Sequence, residues 1–248
     1  MFSDAEAAEL YDLLNPWDPA RFPGDAFYAD LLTEADSVLD VGCGTGAMLH
    51  LARRRGHTGR LMGIDPDRAA LDRARHRAGV GDAGIEWVEG TAADCPPRAD
   101  FELAVMTGHA FQFLVGDEEL RASLAAVAAA LRVGGRFAFE TRHPQARAWE
   151  EWNPADAADL TGPGGRELRV WHEVESVTGG VVTFTGTTAT PDGTVLRVDR
   201  ARLRFLEEAA LDALLHDAGF TIEARYGDWR RGPVTAASRE IVTIARRR

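Results

Sequence analysis

Val38-Leu39-Asp40-Val41-Gly42-Cys43-Gly44-Thr45-Gly46 is the stretch on which the fold turns. The apolar run 38–41 reads as a buried strand, the alternate glycines as a turn, and residues 47–55, with apolar side chains at helical spacing, as a helix. Glycines placed this way let the backbone approach a ligand closely, and the helix N-terminus that follows offers free N–H groups. A second strand, Leu61-Met62-Gly63-Ile64, ends in Asp65, 19 residues beyond Gly46. An acid at that distance and strand position can accept both hydroxyls of a nucleoside ribose. The spacing is Gly-x-Gly-x-Gly and not the Gly-x-Gly-x-x-Gly that cradles a dinucleotide pyrophosphate. No Gly-Lys-Ser/Thr follows, which excludes a nucleoside-triphosphate loop.

Outward from this turn the pattern repeats. Short apolar runs at 38–41, 61–64, 85–88, 103–106 and 137–139 alternate with helical segments at 47–55, 68–78 and 118–131. Such alternation predicts a parallel sheet covered on both faces, with right-handed crossovers. Beyond residue 143 the period changes. Three β-rich runs, 167–177, 181–189 and 195–205, are separated by Thr178-Gly179-Gly180 and Pro191-Asp192-Gly193-Thr194, which predicts an antiparallel meander. A helix over 207–218, stopped by Gly219, precedes two last strands at 220–226 and 240–245.

Composition narrows the class. With 248 residues, 45% hydrophobic and 27% charged, the chain is an ordinary globular protein. Its 28 basic residues, all arginine, face 39 acidic ones for a net charge of −11, which argues against affinity built on neutralising nucleic-acid phosphates. The arginines at 53–55, 60, 68, 73, 75 and 77 read as solvated helix faces. No apolar run reaches the length of about 18 residues that a spanning helix requires, so no membrane partner is expected. The acidic, alanine-rich start lacks the order of a signal peptide, and a cytoplasmic location is the expectation. Cys43 and Cys95 are the two cysteines, too few for a disulfide scaffold or a four-cysteine zinc site. No His/Asp/Glu set has metal-ligand spacing, and no metal is expected.

The glycine turn, Gly63-Ile64-Asp65 and the turn Leu131-Arg132-Val133-Gly134-Gly135-Arg136 together resemble the class I S-adenosylmethionine (SAM)-dependent methyltransferases. The resemblance runs from residue 38 to about 141 and again from 205 to 245. It implies an α/β, Rossmann-like, seven-stranded, mostly parallel sheet with helices on both faces, plus an antiparallel β-meander insertion after the fifth strand. The expected layout is one methyltransferase domain over 1–248. It comprises an N-terminal helical lid at 1–36, a SAM-binding core at 37–143, the β insertion at 144–205, and a C-terminal helix with the last two strands at 206–248. The cofactor implied is SAM, with S-adenosylhomocysteine as its product.

The resemblance also assigns roles. Gly42, Gly44 and Gly46 are expected to wrap the methionine and ribose, Asp65 to hold the ribose with Pro66 beside it, and Met106 to line the cofactor. Where the family usually has Gly-Asp-Ala after the third strand this chain has Gly90-Thr91-Ala92. The adenine therefore falls to the Thr91 hydroxyl with Ala92, or to Asp94, unless Asp94 only caps a turn. The aromatic segment before the first strand, with Tyr11, Trp17, Phe27 and Tyr28, resembles the family's lid. Tyr11 or Trp17 could cover the sulfonium by a cation–π contact, although ordinary docking of the N-terminal helix accounts for the same residues.

Acceptor chemistry needs a nucleophile placed in line with the methyl and, in many cases, a group to take its proton. Ligands of open α/β sheets sit beyond the C-terminal strand ends, where Thr107-Gly108-His109 and Glu140-Thr141-Arg142-His143 stand. His109 is the candidate base, since an unperturbed imidazole titrates near ~6.5; packing on Phe111 or Phe113 is its alternative. Glu140 is the candidate to orient or deprotonate an amine, or else pairs with Arg142 or Arg136. His143 reads as a turn residue or a substrate contact. Trp149, Trp152, Trp171 and Phe184 in the insertion, with Trp229, suit a small organic acceptor or a dimer interface. The expected function is methyl transfer to nitrogen, oxygen or nucleophilic carbon of a small molecule, such as a secondary metabolite, by a monomer or homodimer. RNA or protein methylation and a non-catalytic SAM-binding role are the alternatives.

Overall fold

The computed structural model describes residues 2–77 and 84–248. Two helices lead the chain, α1 (Asp4–Leu14) and α2 (Pro23–Thr33). Ser3 starts α1 with a reciprocal capping box to Glu6, and Pro23 opens α2 at a position where a missing N–H costs nothing. The alternating core follows: β1 (Ser37–Val41), α3 (Ala47–Arg54), β2 (Arg60–Asp65), α4 (Arg68–His76), β3 (Ile85–Glu89), β4 (Phe101–Met106), α5 (Asp117–Ala130) and β5 (Leu131–Arg142). The helix read over 68–78 ends at His76; its last residue, Ala78, lies outside the described residues. Then come β6 (Ala158–Thr161), β7 (Glu167–Thr178), β8 (Val181–Ala189), β9 (Val195–Arg204), α6 (Glu208–Asp217), β10 (Phe220–Tyr226) and β11 (Glu240–Arg247).

Seven strands form one sheet in the order β10-β11-β5-β4-β1-β2-β3. β1 to β5 run parallel, and β11 inserts antiparallel between β5 and β10. Alternation along each strand sends successive side chains to opposite faces. Leu39 and Met62 enter the core packed against α5 and α6, while Val38 and Leu61 enter the core packed against α2 and α3. Each fully buried Leu or Phe removes apolar surface worth about 1.5–3 kcal/mol from water. The strand order reverses between β1 and β4, and ligands of open α/β sheets sit at such a switch point, beyond the strands' C-terminal ends.

Two elements differ from the sequence reading. Residues 131–136 are not a turn before the fifth strand but its first half; Gly134, at φ 77°, and a register shift opposite Phe101 and Leu103 absorb the irregularity. The meander has a fourth strand, β6, in the sheet order β6-β7-β8-β9. Ala158-Asp159-Leu160-Thr161 is largely exposed and lacks the apolar run by which strands are recognised. Helix α1 ties this second sheet to the core, because Phe2 and Leu10 pack on Leu168. Among the described residues no helix is long and apolar enough to cross a membrane.

Candidate active site

The backbone N–H groups of Gly42 and Cys43 both donate to the Ile64 carbonyl (2.8 and 3.1 Å), which pins the glycine turn to β2. Gly42, Gly44 and Gly46 all have positive φ, 78°, 53° and 71°. Two of them need glycine for different reasons. A Cβ on Gly46 would sit 2.3 Å from Trp87, whereas one on Gly44 would meet nothing within 4 Å and stand in open space. Gly46→Ala should therefore cost about 2–4 kcal/mol, combining left-handed strain with overpacking. Denaturant unfolding measures it, and Gly44→Ala, with strain alone, should lose roughly half as much.

Asp65 ends β2, buried, with each carboxylate oxygen held by a backbone N–H: Gly44 N to Oδ2 at 2.7 Å and Asp67 N to Oδ1 at 2.8 Å. Burial raises its pKa against the opposing pull of those two bonds. Pro66 is exposed beside it. Across β3, Thr91 donates from both its N–H (2.8 Å) and its hydroxyl (2.7 Å) to Asp94 Oδ2. These bonds cap a short 3-10 turn, Ala92–Asp94, and hold the Asp94 carboxyl below its ordinary range. Ala92 is buried, as is Met106 at the end of β4, both in the α5-side core. Cys43 is a buried filler whose Sγ would lie 2.7 Å from a Cβ on Gly63.

Asp40, inside the apolar run of β1, joins these residues although its pattern in the sequence assigns it no role. Its side chain is buried on β1, Oδ1 has no hydrogen-bond partner among the described residues, and its pKa is pushed up to about 8 by burial and by the charges of Asp65 and Glu140. The signal was present: an acid inside an otherwise apolar strand buries a polar group at a cost of several kcal/mol unless something compensates it.

From α1, Tyr11 reaches the loop after β4; its hydroxyl lies 3.5 Å from the position a Cβ on Gly108 would take. Partial burial and then the charges of Asp65, Asp12, Glu140 and Asp40 raise its phenol pKa. Asp12, next along α1, accepts hydrogen bonds from Thr45 Oγ1, Arg73 Nε and an Arg77 guanidinium nitrogen. Arg73 and Arg77 are thus not part of a solvated helix face but fasten α1 to α4, and Arg77 also reaches Thr45 of the glycine turn at 3.3 Å. Trp17 is not brought to the turn. It packs on Tyr28 (centroids 6.5 Å apart) and lines a cavity of about 270 Å³ with Thr33, Met48 and His57, at the opposite end of β1 and β2.

The acceptor-side candidates meet at the ends of β4 and β5. Gly108 and His109 both adopt left-handed backbone, φ 64° and 62°, a strained conformation for histidine. His109 N donates to Glu140 Oε1 at 2.8 Å, and its Nε2 lies 2.9 Å from Glu240 Oε2 on β11. Glu140 is buried, takes the Tyr28 hydroxyl on its other oxygen, and has its pKa raised by burial. It pairs with neither Arg136 nor Arg142. Arg136 goes to Glu34 and Glu223, and Arg142 to Gln112 and the face of Trp152 (5.3 Å). His143 is a buried turn residue whose Nδ1 accepts from Gln145 N. Trp152, Phe184 and Phe205 cluster with Trp149 on the second sheet, while Trp229 packs on Phe27 and Tyr28. Tyr28 belongs to the aromatic segment read as a lid, but its bond to Glu140, 112 residues away, and the part played by Glu240 carry no signal in the sequence. Among the described residues no group of three or more His, Cys, Asp or Glu could hold a metal ion.

A glycine turn at a sheet switch point, an acid ending β2 and a seven-stranded sheet with one antiparallel insertion define the class I SAM-dependent methyltransferase fold. Residues 38–135 match the family model described as a methyltransferase domain. The cypemycin N-terminal methyltransferase of Streptomyces sp. is 26% identical over 98% of this chain and 97% of its own length. Among solved structures, the CcbJ methyltransferase of Streptomyces caelestis superposes with a TM-score of 0.76 at 19% identity, covering 99% of both chains. SAM-bound CalS10 of Micromonospora echinaspora, an amino pentose methyltransferase, does so with a TM-score of 0.69 at 23% identity over 100% and 98%. Residues 38–135 are a methyltransferase domain, and the chain as a whole has the fold of the SAM-dependent methyltransferases it superposes on.

Proposed function

We propose that this enzyme methylates an amine nitrogen of a small organic molecule, in the cleft over the ends of β1, β2, β4 and β5. The observation that carries this reading is the ring of acids around His109 and the glycine turn: Asp40, Asp65, Glu140 and Glu240. Such a cleft favours cations, here the sulfonium and α-ammonium of SAM and the protonated amine of an acceptor. The names of two similar proteins support it, one acting at the N-terminus of cypemycin and one on an amino pentose. The net charge of −11 supports a small acceptor over nucleic acid.

The residues present fit SAM: Asp40 offers an unpaired buried oxygen, and Gly44 leaves open the space a Cβ would fill. SAM, when bound, supplies a methyl already activated on sulfur. In this reading Gly42, Gly44 and Gly46 face its methionine and ribose, and Asp65 with Pro66 takes the ribose. Thr91, Ala92 and Asp94 border the adenine, Met106 floors the cleft, and Tyr11 covers it. Glu140 holds the His109 backbone and Tyr28 instead of acting as a free base, and His109 takes the acceptor's proton. Labelled methyl transfer from SAM to separate pools of small amines, tRNA and proteins tests the reading. Label in the amine pool supports it; label confined to tRNA or protein contradicts it.

Asp40 makes a second test. Its folded pKa of about 8 stands above the ordinary 3.8. Between those values the unfolded chain has lost a proton that the folded chain keeps. Raising the pH from 4 to 8 therefore draws the equilibrium towards unfolding, and stability contributed by the protonated group below pH 4 is lost progressively up to about pH 8. The raised pKa values of Asp65 and Glu140 act in the same direction. A bound α-ammonium favours the ionised carboxylate, so SAM binding at pH 7 should release a proton. Calorimetry in buffers of different ionisation enthalpy reads that proton, and Asp40→Asn should abolish it.

A further inference from the structure

We propose that Glu240 is the positioning residue that sets the tautomer of His109, an inference that rests on the reading of His109 as the base. Three restraints converge on this histidine from three directions. Its backbone is left-handed, its N–H is taken by Glu140 on β5, and its Nε2 lies 2.9 Å from Glu240 Oε2 on β11. A residue held in a sparsely populated conformation persists only where its surroundings over-determine it, and such residues gather at functional sites. The side chains of His109 and Glu240 are only 20% and 22% exposed, which weakens the competition from water for their contact.

An ionised carboxylate can only accept, so the nitrogen facing it carries the hydrogen. That leaves Nδ1 with the lone pair, and Nδ1 has no hydrogen-bond partner among the described residues. The titratable and charged groups around the pair are Glu140 and Arg142 on β5, Arg239 preceding Glu240, and the neutral phenol of Tyr28 behind Glu140. None of these is hydrogen-bonded to the imidazole, so Glu240 alone selects the tautomer. In the reaction His109 Nδ1 takes one proton from the acceptor ammonium, and Glu240 faces the resulting imidazolium. The nitrogen pair so freed forms the new C–N bond, and the electrons of the methyl–sulfur bond leave with the thioether. The second part of the chain thus contributes to catalysis through a strand that sequence spacing does not connect to β4.

Glu240→Gln removes the charge and lets the amide present either its oxygen or its nitrogen to the imidazole. Turnover should fall about 10–100-fold, the usual range for a partner that orients a functional histidine, while SAM affinity and KM for SAM stay within about twofold. In a His109→Ala background the same substitution should cost nothing further. The nitrogen-15 spectrum of histidine-labelled protein should show the Nε2–H tautomer in the wild type and a mixture or the Nδ1–H form in Glu240→Gln. A fully active Glu240→Gln beside an impaired His109→Ala overturns the role of Glu240 and spares the base. Losses that multiply in the double variant, or an unchanged tautomer, overturn it as well. A fully active His109→Ala removes the base reading and this inference together.

Discussion

Turnover in His109→Ala should fall by about 10²–10⁴, the range lost with a general base, while SAM affinity stays nearly constant. His109 sits at the end of β4 and contacts Glu140 and Glu240, not the glycine turn or Asp65, so its loss leaves the cofactor side in place. The deficit should depend on the state of the acceptor. An ammonium must lose a proton before its nitrogen can attack, and a primary alkyl amine in water holds that proton up to roughly pH 10. Raising the pH should therefore shrink the deficit of the variant as amine deprotonates in solution. Steady-state kinetics against pH, beside SAM calorimetry on the same protein, reads both effects. Full activity would reduce His109 to packing, and a large loss of SAM affinity would move it to the cofactor side.

Asp65→Ala should weaken SAM binding by about 1.5–3 kcal/mol, roughly 10- to 150-fold, if its carboxylate accepts from the ribose hydroxyls. The structure adds a second source of loss. The Asp65 carboxylate also receives Gly44 N and Asp67 N, so removing it releases the glycine turn and the start of α4. Asp65→Asn retains one oxygen acceptor and should lie between the wild type and Asp65→Ala. Calorimetry with SAM and S-adenosylhomocysteine measures the series, and NADH should show no comparable binding to any member. Unchanged SAM affinity in Asp65→Ala would take Asp65 out of the site.

What was legible in the sequence was local. The glycine turn, the acid ending β2 and the alternation of apolar runs with helical spacing depend on neighbours within a few residues, and the sheet followed from them. The meander was legible through its Gly-containing breaks, except for β6, whose exposed residues carry no apolar signal. The contacts made across elements were not legible. Tyr28–Glu140, Asp12–Arg77 and His109–Glu240 join residues brought together only when α1, α2 and β11 dock on the sheet. Trp17 shows the same limit: aromatic character marked it for the cofactor, and packing placed it against Tyr28 and beside a cavity at the N-terminal ends of β1 and β2. Asp40 is intermediate, since its place among apolar neighbours announced a buried carboxyl but not its missing partner.

The most direct test of the central claim is the bond made to the transferred methyl. The enzyme is given SAM labelled with carbon-13 in the methyl and a set of nitrogen-15-labelled small amines that also bear hydroxyl groups, and the product is examined by carbon–nitrogen correlation. The account predicts the labelled methyl on nitrogen, with the wild type active and His109→Ala strongly impaired on the same amine. A labelled methyl found on oxygen or carbon, with the amine left unmodified, would contradict it.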